Sequence, residues 1–253
     1  MTSNPDPKFD GLADSYERTR PRYPAELFTP VIAILPDHEN PVVVDAGAGT
    51  GIALEALLPL LPATAKVHAV DISADMIRIG KRKFPHVAWE LGAAEEFLAR
   101  FTQVDLVIAA QAYQWMNRPA YLTASAQALR PGGVCQVVQN NRDYSFGGLV
   151  EAYEGLLEEL SPGYSRSYRA FDIERELATE FNLVEHYEHH WRQTLSINDF
   201  VAMSSSSTQA QRAVVANGPS FFDRVRALCV EYEEEGMVHV PYLSEAFVGI
   251  ARE

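Results

Sequence analysis

Pro41-Val-Val-Val-Asp-Ala-Gly-Ala-Gly-Thr-Gly51 is the stretch that decides the fold. Its first part, 41–45, is a β-branched run with no polar residue before Asp45, as expected of a strand buried on both faces. The chain passes directly into three glycines. A helical pattern follows, with Ile52, Leu54, Leu57, Leu58 and Leu61 apolar. The alternation then repeats. Residues 66–70 form a strand ending at Asp71, and Ser73 caps a helix that reaches Phe84 and is stopped by Pro85. Strands at 87–91, 104–110 and 134–140 are separated by helices at 95–100 and 119–129, with a turn at Arg130-Pro-Gly-Gly133. Five strands joined through helices require right-handed crossovers and a parallel sheet.

Outside this region the pattern is looser. Residues 11–20 and 24–35 read as two short helices, with Pro24 in a first turn and Pro36 closing the second. Residues 149–160 and 171–181 look helical, 183–195 reads as a long strand, and 197–228 is mostly helical, broken at Ser204-Ser-Ser-Ser207 and Gly218-Pro219. A final strand lies at 247–251, within 244–252. The expected fold is a doubly wound, Rossmann-like α/β sheet of seven strands, mostly parallel with the last antiparallel. One domain spans 1–253, with an N-terminal helical cover at 1–35, a binding core at 41–140, and lid insertions at 145–165 and 196–236.

Composition narrows the partners. The chain of 253 residues carries 21 Lys+Arg against 34 Asp+Glu, a formal net charge of −13. That excess repels both a nucleic-acid backbone and an anionic membrane, so neither is expected as a partner. Cys135 and Cys229 lie far apart without metal-ligand spacing, as in a cytoplasmic protein with reduced thiols. The polar N-terminus lacks the apolar core of a signal peptide, and no apolar run approaches the roughly 18 residues of a membrane span. The chain is expected to be a monomer or homodimer.

Glycines at a strand-to-helix junction let a ligand approach the backbone, and the helix start behind them offers unpaired N–H groups. A glycine triplet alone is weak evidence, but here a second strand ends in an acid, Asp71, placed to bind a ribose diol. Two cofactor classes compete. In the dinucleotide fingerprint GxGxxG, aligned on Gly47 and Gly49, Ile52 falls at the third glycine and crowds the helix–strand approach. The sequence instead has GxGxG preceded by Asp45, an acid able to receive an ammonium group. No Gly-Lys-Ser/Thr is present, which excludes a Walker loop.

With these residues in place, the chain resembles the class I S-adenosylmethionine-dependent methyltransferases. The resemblance runs through VVVDAGAGTG (42–51), HAVDIS (68–73) with Met76 beyond it, LGAAEEF (91–97), VDLVIAAQAYQW (104–115) and ALRPGGVCQVV (128–138). The opening FDGLADSYERTRPRYP (9–24) is similar to the small-molecule branch that includes trans-aconitate methyltransferase. The resemblance implies S-adenosyl-L-methionine as cofactor, S-adenosyl-L-homocysteine as product, and a small organic acceptor methylated on oxygen, nitrogen or a carboxyl group. It gives Asp45, Ala46, Gly47 and Gly49 to the methionine end of the cofactor and Tyr16 and Arg20 to its carboxylate. Asp71 takes the ribose hydroxyls, Ile72 and Met76 flank adenine, Ala93, Ala94 and Glu95 form the adenine-edge loop, and Gln111 lies below the sulfonium. Family members often have Asp where this chain has Ala93, which removes one adenine contact.

No catalytic base is assigned by these motifs. Tyr113 follows the fourth strand at the rim of the crevice. His189 and His190 are candidate bases on the long strand. His186 and His190 share a strand face and His189 does not, so three-fold metal ligation is awkward and no metal is expected. The acid run 231–235 reads as a solvated helix end. Two other functions remain open on the residues alone: a cofactor-binding regulatory or scaffold protein without turnover, and an NAD(P)-dependent oxidoreductase, which Ile52 disfavours.

Overall fold

The computed structural model describes residues 13–36 and 39–252. The first twelve residues of the expected N-terminal cover, including the start of the 9–24 motif, lie outside the described residues.

Seven strands form one sheet: β1 (Val42–Ala46), β2 (Lys66–Asp71), β3 (Ala88–Leu91), β4 (Val104–Ala110), β5 (Leu129–Arg142), β6 (Leu183–Ser196) and β7 (Met237–Ile250). Their order is β3-β2-β1-β4-β5-β7-β6. Strands β1 to β5 pair in parallel, and β7 runs antiparallel to both its neighbours. The chain winds outward from β1 to β3 and then returns to β4. The strand order therefore reverses between β1 and β4, where an open α/β sheet leaves a crevice at the carboxyl ends of its strands.

The apolar run at the start of β1 explains why both faces of the sheet are covered. Successive side chains point to opposite faces, and Val43 and Val44 are both fully buried. Val43 packs with Leu106, Val134, Leu54 and Leu57 on the side of α2 (Thr29–Ile32) and α3 (Ile52–Leu57). Val44 packs with Val107, Val137, Phe97, Tyr121 and Leu177 on the side of α5 (Ala94–Leu98), α6 (Arg118–Ala128) and α8 (Ile173–Leu177). Helix α4 (Ala74–Lys83) begins at Ser73, whose hydroxyl accepts from Met76 N–H at 3.4 Å, as the sequence predicts.

A third core lies beyond the sheet. Helices α7 (Gly148–Leu160), α9 (Ile197–Ser205), α10 (Thr208–Asn217) and α11 (Ser220–Glu231) pack Tyr153, Phe200, Phe221 and Val225 against Val240 and Tyr242 of β7. The helix breaks fall at the Ser run and at Gly218-Pro219. Ser207 caps α10 by accepting from Ala210 N–H at 3.2 Å. Helix α1 (Ala13–Thr19) reaches the same place: Thr19 Oγ1 donates to Ser206 Oγ at 3.1 Å and Arg20 Nη2 to the Ser206 carbonyl at 3.3 Å.

Four elements differ in their bounds from the sequence reading. The expected 24–35 helix is a 3₁₀ turn (Ala25–Leu27) followed by the four-residue α2, and the 171–181 helix shrinks to α8. Strand β7 begins at Met237, well before 244. Along β7, Val238, Val240, Tyr242 and Ser244 are buried while the residues between them are more open, so the early half is one-sided and interrupted by Pro241. Strand β5 likewise absorbs the Arg130–Gly133 turn, with a register irregularity against β4 between Val104 and Leu106.

Gly80 is the close contact that lets α4 lie on β3. A Cβ there would sit 2.1 Å from the Trp89 ring, whose Nε1 donates to the Phe84 carbonyl at 3.2 Å. Gly80→Ala is expected to cost about 1–3 kcal/mol by overpacking, read as a lower midpoint in urea unfolding with an unchanged slope.

Candidate active site

The glycine turn is built at the end of β1. Gly47, Gly49 and Gly51 adopt φ of +71°, +57° and +80°, values that side chains disfavour. Gly47 has no room for a side chain, because a Cβ would lie 2.5 Å from Ala112 Cβ. A Cβ on Gly49 would meet no atom within 4 Å, so its bare backbone opens onto the cavity. Gly47 and Ala48 N–H groups donate to the Val70 carbonyl at 2.8 and 3.0 Å. Asp71 then joins the turn to the next helix: its Oδ2 accepts from Gly49 N–H and its Oδ1 from Ser73 N–H, both at 2.8 Å. Burial pushes its carboxyl pKa up, and these backbone donors work against that rise.

Asp45 is the opposite case. It is fully buried at the end of β1 with neither oxygen hydrogen-bonded. Burial first, and then the neighbouring Asp71, push its carboxyl up to about 8. A buried carboxylate without donors is costly to a fold. Asp45 lines the cavity, and its free oxygens present a site for a cationic donor.

That cavity, of about 750 Å³, runs from the glycine turn past the ends of β4 and β5 to the segment before α8. It gathers Tyr16, Arg20, Asp45, Gly47, Gly49, Asp71, Ile72, Met76, Ala93, Ala94, Glu95 and Gln111 along one wall. Ala46 is buried behind the turn and does not line it. Glu95 Oε1 accepts from Asn117 N–H at 3.0 Å, tying α5 to the start of α6. Gln111 has φ +53°, a rare conformation for a residue with a side chain. Its N–H donates to the Val138 carbonyl at 2.8 Å, its Nε2 to the Asn140 carbonyl at 2.5 Å, and its Oε1 is buried without a donor.

The structure separates the candidate bases. Tyr113 points away from the cavity into the core, because the 3₁₀ turn Tyr113–Trp115 directs its ring inward against Tyr121. Its hydroxyl donates to Glu176 Oε2 at 2.5 Å, and Glu176 also holds Arg118 Nε at 2.9 Å. Burial and this carboxylate keep the phenol protonated. His189 does not line the cavity, and His190 stands at its far rim with Nδ1 3.6 Å from Asp143 Oδ2. His186 gathers carboxylates instead of the other histidines. It lies 3.2 Å from Glu174 and from Glu245, stacks on Phe247, and with Glu188 and Glu245 presents ligand atoms within 4.8 Å of one another.

Sequence reasoning passed over several lining residues. Arg142 Nη2 pairs with Glu154 Oε1 at 2.7 Å, and Tyr164 donates to the same carboxylate. Arg169 stacks on Tyr168 and donates from Nη1 to Asn141 Oδ1 at 2.6 Å. The available signal was the alternation of Tyr and Arg in Tyr164-Ser-Arg-Ser-Tyr-Arg169, arranged to stack guanidinium on ring.

The fold and this crevice define a class, and comparison with known proteins agrees. Residues 43–133 match a family model described as a methyltransferase domain. An uncharacterized methyltransferase of Mycobacterium tuberculosis is 29% identical over 220 residues, covering 87% of this chain and 84% of that protein. A trans-aconitate 2-methyltransferase of Azoarcus is 34% identical over 115 residues, 45% of this chain and 44% of its own. The structure of a candidate type II methyltransferase from Anaeromyxobacter dehalogenans superposes with a TM-score of 0.72 at 24% identity, covering 92% of this chain and 99% of that one. Together the domain match, the methyltransferase relatives and the fold support a class I S-adenosylmethionine-dependent methyltransferase. None of its described helices is long and apolar enough to cross a membrane.

Two outcomes are expected from these environments. Asp45 has a folded-state pKa raised from 3.8 to about 8, so the folded protein holds a proton that the unfolded chain releases. Stability should therefore fall as pH rises from 4 to 8, and Asp45→Asn should flatten that slope and melt higher than wild type at pH 8. Tyr113→Phe should cost about 1 kcal/mol in urea unfolding and leave cofactor affinity unchanged, since it removes one core hydrogen bond.

Proposed function

We propose that the protein transfers a methyl group from S-adenosylmethionine to a small organic acceptor held in the same cavity. The observation that carries the reading is Asp45. Its two unpartnered, buried oxygens fit the ammonium of the cofactor's methionine moiety, which supplies the missing donors and the missing charge. The rest of the wall is consistent with this placement. Gly49 admits the ligand against its backbone. Arg20 and Tyr16 lie where the methionine carboxylate would be received. Each Asp71 oxygen already accepts one N–H and retains a lone pair for a ribose hydroxyl. In this reading Ile72 and Met76 would flank adenine, with Ala93, Ala94 and Glu95 at its edge and Gln111 below the sulfonium; all six line the cavity.

When bound, the cofactor supplies a methyl group already activated on a sulfonium. The protein's part is alignment and exclusion of water, and alignment alone is worth several kcal/mol. Helices α7, α9 and α10 bring Glu154, Met203, Thr208 and Gln209 to the cavity, α1 is latched to Ser206, and these elements would serve as the lid in this reading. The small size of the acceptor is supported by relatives named for methylation of trans-aconitate.

S-adenosylhomocysteine at about 100 times its dissociation constant should stabilise the protein by about 2.7 kcal/mol, visible as a raised melting temperature, whereas NAD should give no shift. Methyl-labelled cofactor incubated with a fractionated extract should place label in low-mass organic compounds. Equal shifts with both ligands, or label confined to protein or nucleic acid, would overturn the reading.

A further inference from the structure

The glycine turn, Asp45 and Asp71 have tasks in this reading, but the opposite wall does not. There the segment between α7 and α8 brings Arg166 and Arg169 to the cavity, beside Arg142 of β5. Arg166 is paired with Glu158 at 2.7 Å, and Arg142 with Glu154 at 2.7 Å. Arg169 makes no ion pair among the described residues. Its Nη1 is occupied by Asn141, one face of the guanidinium lies on Tyr168 at 4.7 Å, and its Nε is buried without an acceptor. The other acids on that wall are engaged elsewhere. Asp143 accepts from Ser145 and faces His190, and Glu245 lies 3.2 Å from His186. Arg20 worsens the imbalance: its own Nε is also buried without an acceptor, and its charge disfavours that of Arg169.

The cofactor brings an ammonium, a carboxylate and a sulfonium. Asp45 answers the ammonium, and one guanidinium, Arg20, answers the carboxylate. Even with the charge of Asp71 counted against the sulfonium, one guanidinium then remains uncompensated in a low-dielectric cleft, where unpaired charge is expensive. The edge of Arg169 formed by Nε and Nη2 is the side-on fork that a carboxylate meets with two parallel hydrogen bonds.

Building on the methyltransferase reading above, we propose that Arg169 is a specificity-determining residue that binds a carboxylate of the acceptor, and that this carboxylate anchors the acceptor and is not the atom methylated. A carboxylate held by a guanidinium fork has its lone pairs engaged and its charge stabilised, which makes it a poor nucleophile. The acceptor therefore carries a second group, an oxygen or nitrogen, that faces the methyl.

The test uses the full-length protein with Arg169→Gln. Calorimetry measures S-adenosylhomocysteine and 5′-methylthioadenosine, which lacks the amino-acid end. Thermal shift on protein saturated with S-adenosylhomocysteine then measures glutarate, benzoate and phenylacetate against their amides. Wild type should respond to at least one carboxylate and to none of the amides. Arg169→Gln should weaken that carboxylate by at least about tenfold, the size expected for a charge-assisted pair, and keep S-adenosylhomocysteine affinity within about twofold. Its unliganded melting temperature should equal or exceed that of wild type, because an unpaired charge has been removed. Three results overturn the proposal: no carboxylate acts on wild type, carboxylate binding survives in the variant, or the variant melts lower and loses every ligand. A variant that loses S-adenosylhomocysteine but keeps 5′-methylthioadenosine overturns it too, by assigning Arg169 to the cofactor's own carboxylate. Failure of wild type to bind S-adenosylhomocysteine at all would instead sink the underlying methyltransferase reading.

Discussion

Two backbone N–H groups converging on one carboxylate hold the crevice in shape. Gly49 and Ser73 both donate to Asp71, so the left-handed turn after β1 and the first turn of α4 are tied to the same side chain. The turn needs that support, since three of its residues take backbone angles that few side chains allow. The arrangement also has a cost a few ångströms away. The donors that satisfy Asp71 are not available to Asp45, and the negative charge of Asp71 is one of the two causes that raise its neighbour's pKa. One acid serves as structural clamp, and the other is left with a deficit that a cationic ligand relieves.

The half of the molecule that positions this pair was legible in the sequence for a physical reason. Strands buried on both faces cannot alternate, so β1 and β4 stand out by their apolar runs, 42–44 and 106–110, and the glycines mark where backbone replaces side chain. The remainder obeys weaker rules. The early part of β7 buries one face only and contains Pro241, so its start was hidden. Tyr113 follows a strand end in sequence, yet the direction of its ring depends on a single 3₁₀ turn and on Glu176, which lies far along the chain. Arg169 was missed because its significance lies in what it lacks, and the absence of a partner can be seen only when the surrounding wall has been assembled.

The Ser run shows how local and tertiary roles can share a few residues. Ser207 caps a helix, a task visible from its position before α10. Ser204 bonds to the buried Tyr153 hydroxyl at 2.6 Å, and Ser206 receives Thr19 and Arg20 from the N-terminal helix. A stretch that reads as a simple break is thus where three helical segments are fastened over the cavity.

Strands β6 and β7 pair along their full fourteen residues, and the last rung joins Ser196 to Met237. The helices α9 to α11 therefore leave the sheet and return to it at adjacent points, as the tip of a hairpin does. Chain between two such points can be lengthened at little entropic cost, about 0.6 kcal/mol for each doubling. This excursion, which brings Met203, Ser207, Thr208 and Gln209 to the cavity, is in this sense a cassette: it can be exchanged for another of different shape while the register beneath it, and the clamp at Asp71, stay as they are.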